Sequence, residues 1–364
     1  MKTNRPDNGL RAIIFTLLIV GAAILFSASS VISIENAGNP YYYFRHQLLY
    51  GILPGLIVFF IIEKINYKFW KKFALFIFIA SLILMVLVFI PGLGLKHKGA
   101  QRWLDLKLFS IQPAEFLKLG LILYLAAIFG RGEFKKHKTA NLISFLTIMT
   151  IVGALMAFQL DAGTLGILLI IGFIIYFMSG ASFLSLGTIG IVYALAFYIL
   201  TKLYPHRINR FITFLNPNFE PQGISYQINQ AILAIGSGGL LGMGPGNSLQ
   251  KRNFLPEPMG DSIFAITAEE VGFIGCCLVI GLFILLTIKG LKIAKKSPDE
   301  FAKLTAIGII SWIVFQTIIN IAGITKLIPL TGVPMPFMSY GGSAIISIMA
   351  GLGILSNISK YAKD

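Results

Sequence analysis

The chain has 364 residues, 56% hydrophobic and only 12% charged, about half the charged share of a soluble globular protein, which excludes a soluble domain and indicates a membrane protein. Thirty Lys and Arg against fifteen Asp and Glu give a net charge of +15. The basic residues sit in short stretches between apolar runs and form no RNP, zinc-finger or basic-helix pattern, so they read as membrane topology, with no nucleic-acid partner. The adjacent Cys276 and Cys277 cannot build a disulfide framework, and the four histidines are scattered without a zinc motif.

A hydrocarbon core of about 30 Å needs about 20 apolar helical residues. Runs of that order lie at 12–34, 46–63, 73–91, 113–130, 141–159, 163–179, 182–200, 262–288, 304–323 and 341–358. The chain is therefore expected to be an all-α integral membrane protein, a polytopic bundle of about ten transmembrane helices. The first run carries SASS (27–30) near its end, as a signal peptide would, but many more runs follow, so it reads as an uncleaved span. Segments 2–11, 64–72, 131–138, 289–303 and 360–363 hold 18 of the 30 basic residues, which puts both termini in the cytoplasm. Residues 1–364 then form one transmembrane domain, with a large extracytoplasmic loop, about 201–261, between spans seven and eight. A loop of that length is a natural place for function.

Five acids fall in or at the mouths of spans: Glu115, Asp161, Asp261, Glu269 and Glu270. A mid-helix carboxylate costs about 2.5–3.5 kcal/mol on insertion, so such groups normally face a polar interior and mark function. On the predicted topology Glu115, Asp161 and Asp261 belong to the outer half of three separate spans, which suggests one outward cavity. Glu115 and Lys118 are three apart on one face of the fourth span and can pair, as a structural or a catalytic couple. Arg102, Arg207, Arg210, Lys251 and Arg252 put positive charge near the outer interface. Contact with lipid headgroups explains each alone; the set favours an anion site, since arginine's fork suits phosphate. Glu269 and Glu270 lie too far below Asp261 for chemistry at the mouth and read as interhelical hydrogen-bonding groups, Glu270 the weaker case. The glycine-rich IGSGGLLGMGPGNS (235–248) lacks the GK[ST] of a phosphate loop and reads as flexible or re-entrant backbone along a cavity. PMPFMSYGG (334–342) reads as a Pro/Gly turn that shapes a groove.

Five blocks in chain order carry a resemblance. GAQRWLDLKLFSIQPAEFLKL, QLDAGT, the long RINRFITFLNPNFEPQGISYQINQAILAIGSGGLLGMGPGNSLQK, LPEPMGDSIFAITAEEVG and LTGVPMPFMSYGGS resemble the motifs of the SEDS family (shape, elongation, division and sporulation) of polytopic peptidoglycan glycosyltransferases. The resemblance runs from the first span to the last, and its GMGPGNSLQK element is closer to the family's division members than to its elongation members. The chain departs from the family pattern at Leu160 (usually proline), Ala114 (usually serine), Met259 and Gly260 (usually His-Thr) and Ala344 (commonly a second serine). The changes before Asp261 bear on how its carboxylate is oriented.

The resemblance implies that lipid II units, disaccharides on undecaprenyl pyrophosphate, are joined at the outer face of the bacterial cytoplasmic membrane. An acceptor hydroxyl attacks the anomeric carbon of the donor, which calls for a base, stabilisation of the departing pyrophosphate and a slot for lipid. Asp261 is the candidate base, a helix N-cap being its plainer explanation, with Glu115, Lys118 and Asp161 as the other candidate catalytic residues. Arg102, Arg207, Arg210, Gln112, Lys251, Ser339 and Ser343 are the candidate substrate-binding set. Asp261 is equally a candidate ligand for a divalent cation, Mg or Mn, bridging the pyrophosphate; no organic cofactor is implied. A class B penicillin-binding protein transpeptidase and other division or elongation proteins are the implied partners. A lipid II flippase, or a non-catalytic scaffold for the transpeptidase, fits many of the same features.

Overall fold

The computed structural model describes residues 5–97, 100–107, 109–131, 137–203, 212–215 and 223–362. Helices lie over all ten apolar runs: α1 (Asn8–Ala37), α2 (Tyr42–Lys64, with a π turn at Leu48–Ile52), α3 (Tyr67–Leu87), α4 (Pro113–Phe129), α5 (Lys138–Phe158), α6 (Ala162–Met178), α7 (Phe183–Leu203), α9 (Ile263–Lys295), α10 (Glu300–Ile324) and α11 (Gly342–Ser359). Among the described residues seven of these, α1, α2, α3, α5, α9, α10 and α11, are long and apolar enough to cross a membrane by length and composition; α4 and α6, at 17 residues each, are shorter. The interior is built around α10 and α11, which are buried on most faces, whereas α3, α5 and α9 turn much of their apolar surface outward. Consecutive spans run in opposite directions, so α4, α6, α9 and α11 all begin, and α10 ends, at the end that carries residues 223–262, here the loop end.

Two features of the loop end were not expected from an all-α pattern. The link between α3 and α4 is a small antiparallel sheet of β1 (Gly94–His97), β2 (Ala100–Asp105) and β3 (Ser110–Ile111), in the order β1-β2-β3. Gly94 pairs with Leu104 and Asp105 with Ser110. A further helix, α8 (Ile224–Ser237), lies within the predicted loop and packs along the first turns of α9.

The glycine-rich stretch after α8 folds back against α9, and α9 shows why. Gly272 adopts φ 68° and ψ −171° inside α9 and breaks its hydrogen-bond ladder. A backbone group left unpaired inside a membrane costs several kcal/mol, so the break needs partners. The chain after α8 supplies them. Met243 N and Gly244 N donate to Glu269 O (2.9 Å) and Glu270 O (3.0 Å), and Phe273 N and Ile274 N donate to Gly239 O (2.9 Å) and Leu240 O (3.1 Å). The approach is too close for side chains: a Cβ on Gly272 would fall 2.3 Å from Gly242 N.

At the opposite end, Glu63 of α2 accepts from Arg11 Nε (2.8 Å) and from the Ser356 hydroxyl, while Asn357 Nδ2 and Lys360 Nζ donate to its backbone carbonyl (2.8 and 2.7 Å). This polar knot ties α1, α2 and α11 together. Because the α9 break requires both a left-handed φ and the absence of a Cβ, Gly272→Ala is expected to lower unfolding free energy in detergent by about 2 kcal/mol or more. Gly281→Ala in the same helix, where the surroundings are open, is expected to change it by less than about 0.5 kcal/mol. Equal effects in thermal unfolding would contradict the account.

Candidate functional site at the loop end

The segment between α10 and α11, residues 325–341, is the hub of the loop end. Gln316 and Asn320 stand one turn apart on the same face of α10, and both are buried. Gln316 Nε2 donates to Pro334 O (2.9 Å), and its Oε1 accepts from Lys118 Nζ (2.8 Å) and Trp312 Nε1 (2.7 Å). Asn320 Nδ2 donates to both Val333 O and Asp261 O, each at 2.8 Å. The segment is also stitched to the start of α9: Ser339 Oγ donates to Gly260 O (2.7 Å), and Tyr340 N donates to Met259 O (2.8 Å). Burial pushes the Tyr340 hydroxyl above the usual phenol range, and it hydrogen-bonds to His46 Nδ1 at 2.8 Å. Gly163 of α6 packs so tightly that a Cβ there would lie 2.8 Å from Thr331 O.

Glu115, Asp161 and Asp261 therefore all gather around one segment, each in a different setting. Glu115 and Lys118 form an ion pair at 2.7 Å in which each side chain is 1% exposed. The Lys118 ammonium also sits 5.0 Å above the Trp312 ring. Glu115 Oε2 and Asn320 Oδ1 are buried acceptors without a hydrogen-bond partner among the described residues. Asp161 is the N-cap of α6, accepting from Thr164 N (3.1 Å) and Thr164 Oγ1 (2.9 Å). Arg102 Nε lies 4.0 Å from Asp161 Oδ2, and the same guanidinium donates to Gln159 O and Leu160 O. Leu160 has φ 56°, which a pyrrolidine ring cannot adopt, so the turn here takes a path closed to the proline usual at this position.

Asp261 precedes α9, whose N-cap is Ser262, so the capping explanation of Asp261 does not hold. Asp261 is half-buried as a residue, whereas Glu115 is fully buried. Gln227 of α8 reaches it: Nε2 lies 3.3 Å from Asp261 Oδ1 and 2.9 Å from Ser262 Oγ.

The other expected residues divide. Arg102 keeps 31% of its side chain exposed, available to an anion. Lys118 is enclosed by Glu115, Gln316 and Trp312. Lys251 also departs from the surface role expected of it: it is 3% exposed and donates to Glu270 Oε1 (2.7 Å) and to Ser27 Oγ of α1 (2.9 Å). Glu269 accepts from the Ser248 hydroxyl and from Leu249 N (3.0 Å), so both deep acids fasten the glycine-rich stretch, Glu270 as firmly as Glu269. Gln112 donates through its backbone N to Ser343 Oγ (3.0 Å), and the Ser339 hydroxyl bonds only backbone groups here, so these three residues shape the hub. Arg207 and Arg210 lie outside the described residues. Gln227, Gln316, Asn320 and Trp312 were not picked out from the sequence; two amides at i and i+4 inside an apolar span were the available signal.

A helical membrane bundle with acids, arginine and buried amides collected at one end defines a polytopic membrane protein with a polar site at the mouths of its spans. The family model described as "Cell cycle protein", that of FtsW, RodA and SpoVE, matches residues 8–364, and the chain belongs to this family. It is 37% identical over 369 residues to "Stage V sporulation protein E" of Bacillus subtilis, covering 100% of the chain and 99% of that protein. It is 34% identical over 359 residues to "Probable peptidoglycan glycosyltransferase FtsW" of Trichlorobacter lovleyi, covering 98% and 94%. Among solved structures it shares its fold, at TM-score 0.78 and 24% identity over 97% of both chains, with a chain from "Structural coordination of polymerization and crosslinking by a peptidoglycan synthase complex".

Removing one partner of the enclosed pair leaves a buried, uncompensated charge. Lys118→Met is expected to cost about 3–5 kcal/mol in detergent unfolding. Adding Glu115→Gln is expected to restore most of that loss. A double variant as unstable as the two single losses combined would contradict the coupling.

Proposed function

We propose that this chain is a peptidoglycan glycosyltransferase that polymerises lipid II, with its loop end facing outward and both termini in the cytoplasm. The bias of basic residues toward the other end supports the orientation, and the printed names of its FtsW relatives support the activity. The observation that carries the proposal is Asp261: a half-buried residue gripped through its main chain by Asn320 and through its side chain by Gln227.

On this proposal, the acceptor hydroxyl attacks C1 of the donor sugar and its proton passes to Asp261. The bond between C1 and the diphosphate oxygen breaks, and the lipid-linked diphosphate departs. Arg102 supplies charge to that leaving group, with Arg207 and Arg210 assigned the same task. Asp161 holds Arg102 in place, and the Glu115–Lys118 pair supports the hub through Gln316. The partner is a class B penicillin-binding protein, the transpeptidase that would cross-link the strands.

Among the described residues no group of three or more His, Cys, Asp and Glu side chains is arranged to hold a metal ion. As an alternative to its role as base, Asp261 is the carboxylate that would hold a divalent cation, Mg or Mn. Bound there, Mg or Mn would neutralise charge building on the diphosphate.

The test is polymerisation of lipid II by the chain in complex with its transpeptidase partner, with magnesium or chelator, read as glycan strands on a gel. Asp261→Asn is expected to lose about a hundred- to ten-thousand-fold in rate, with activity kept in chelator if Asp261 is the base and lost if it holds the cation. Full activity in Asp261→Asn would remove the base. Wild type that makes no polymer under any partner or metal condition, yet moves labelled lipid II across liposomes, would replace the enzyme with a flippase.

A further inference from the structure

We infer that Gln227 is the positioning residue for Asp261, an inference that rests on Asp261 being the group that takes the acceptor's proton. The carboxylate lies just ahead of α9, and Gln227 is one of the groups that hold it. Gln227 Nε2 has two hydrogens, and its neighbours use both: Asp261 Oδ1 lies at 3.3 Å and Ser262 Oγ at 2.9 Å. Bonding to adjacent residues at the start of α9 fixes the amide plane, and the fixed amide then fixes which oxygen Asp261 turns toward α8.

The other oxygen faces the hub segment. Asp261 Oδ2 lies 3.7 Å from the point where a Cβ on Gly332 would stand, and Gly332 has φ 70°. Gly332 sits in the hub segment beside Val333, whose carbonyl is held by the same Asn320 amide that holds Asp261 O. Oδ1 is thus turned to α8 and Oδ2 toward the hub, and the bond from Gln227 helps to set the direction in which the carboxylate meets the acceptor hydroxyl. Holding a reacting group in one geometry is a recognised source of rate, and it acts on turnover more than on ground-state binding. α8 is suited to the task because it is itself anchored: the chain beyond it is paired with the broken ladder of α9.

The experiment uses the full chain with its transpeptidase partner and lipid II. Gln227→Met keeps the bulk and loses the donor; Gln227→Glu keeps the shape and turns donor into acceptor; Gln227→His retains an N–H near the same reach. Met and Glu variants are expected to lower kcat about 10- to 100-fold, the scale of a hydrogen bond to a charged group. KM and thermal stability stay within about two-fold and a few degrees of wild type, and His recovers part of the rate. Asp261→Asn combined with Gln227→Met is expected to be no slower than Asp261→Asn alone, because Gln227 acts through that carboxylate. Wild-type kcat in Gln227→Met overturns the inference, as does a rate loss that follows lost stability equally in all three variants. If Asp261→Asn is inactive while Gln227→Met is fully active, the base stands and only the positioning falls. If Asp261→Asn remains active, the base falls and takes the positioning with it.

Discussion

Two neutral amides on one face of α10 hold the loop end together. The segment after α10 must leave helical pairing, and its carbonyls at Val333, which is buried, and at Pro334, which is half-buried, need partners. Asn320 and Gln316 answer those carbonyls. The same two side chains reach outward, Asn320 to the backbone of Asp261 and Gln316 to the ammonium of Lys118. Replacing either with an apolar residue would strand donors or acceptors on several elements at once, which is the costly way to lose a hydrogen bond. The positions of Asp261, of the enclosed ion pair and of the hub segment are thereby coupled.

The second constraint is the broken helix. α9 keeps its Asp261 end apart from its long lower half at Gly272, and the glycine-rich stretch heals the break with main-chain bonds alone. Side chains then lock the repair: Glu269 gathers the turn at 248–250, and Lys251 bridges to Glu270 and to Ser27 of α1. These charges are costly in a membrane unless matched. Their matching explains why acids so deep in the bundle need no substrate. Helix α8, Gln227 and Asp261 are carried on this one repaired unit.

Much of the fold was legible in the sequence, because a bilayer demands long apolar runs and each of the ten runs became a helix. The strands at 94–111 were not, since short alternating residues between two spans give little periodicity. Of the site, the carboxylates stood out because ionisable groups in apolar spans are rare. Spacing alone gave the Glu115–Lys118 pair. Lys251 was misplaced because its loop context looks the same whether the ammonium meets headgroups or a buried glutamate; only the fold brings Glu270 within 2.7 Å. Gln316 and Asn320 went unseen for a related reason. They carry no charge, and their importance comes from backbone carbonyls that a sequence does not show to be exposed.

The central claim is that the hydroxyl to be glycosylated meets Asp261 at the loop end. The most direct measurement is a density map of the chain in lipid, with its transpeptidase partner and a non-reactive lipid-linked diphosphate sugar bound. The account predicts the acceptor hydroxyl within about 2.6–3.2 Å of the Asp261 carboxylate, Gln227 on the opposite oxygen and the diphosphate toward Arg102. A sugar bound at the other end of the bundle, or Asp261 turned against lipid tails, would contradict it.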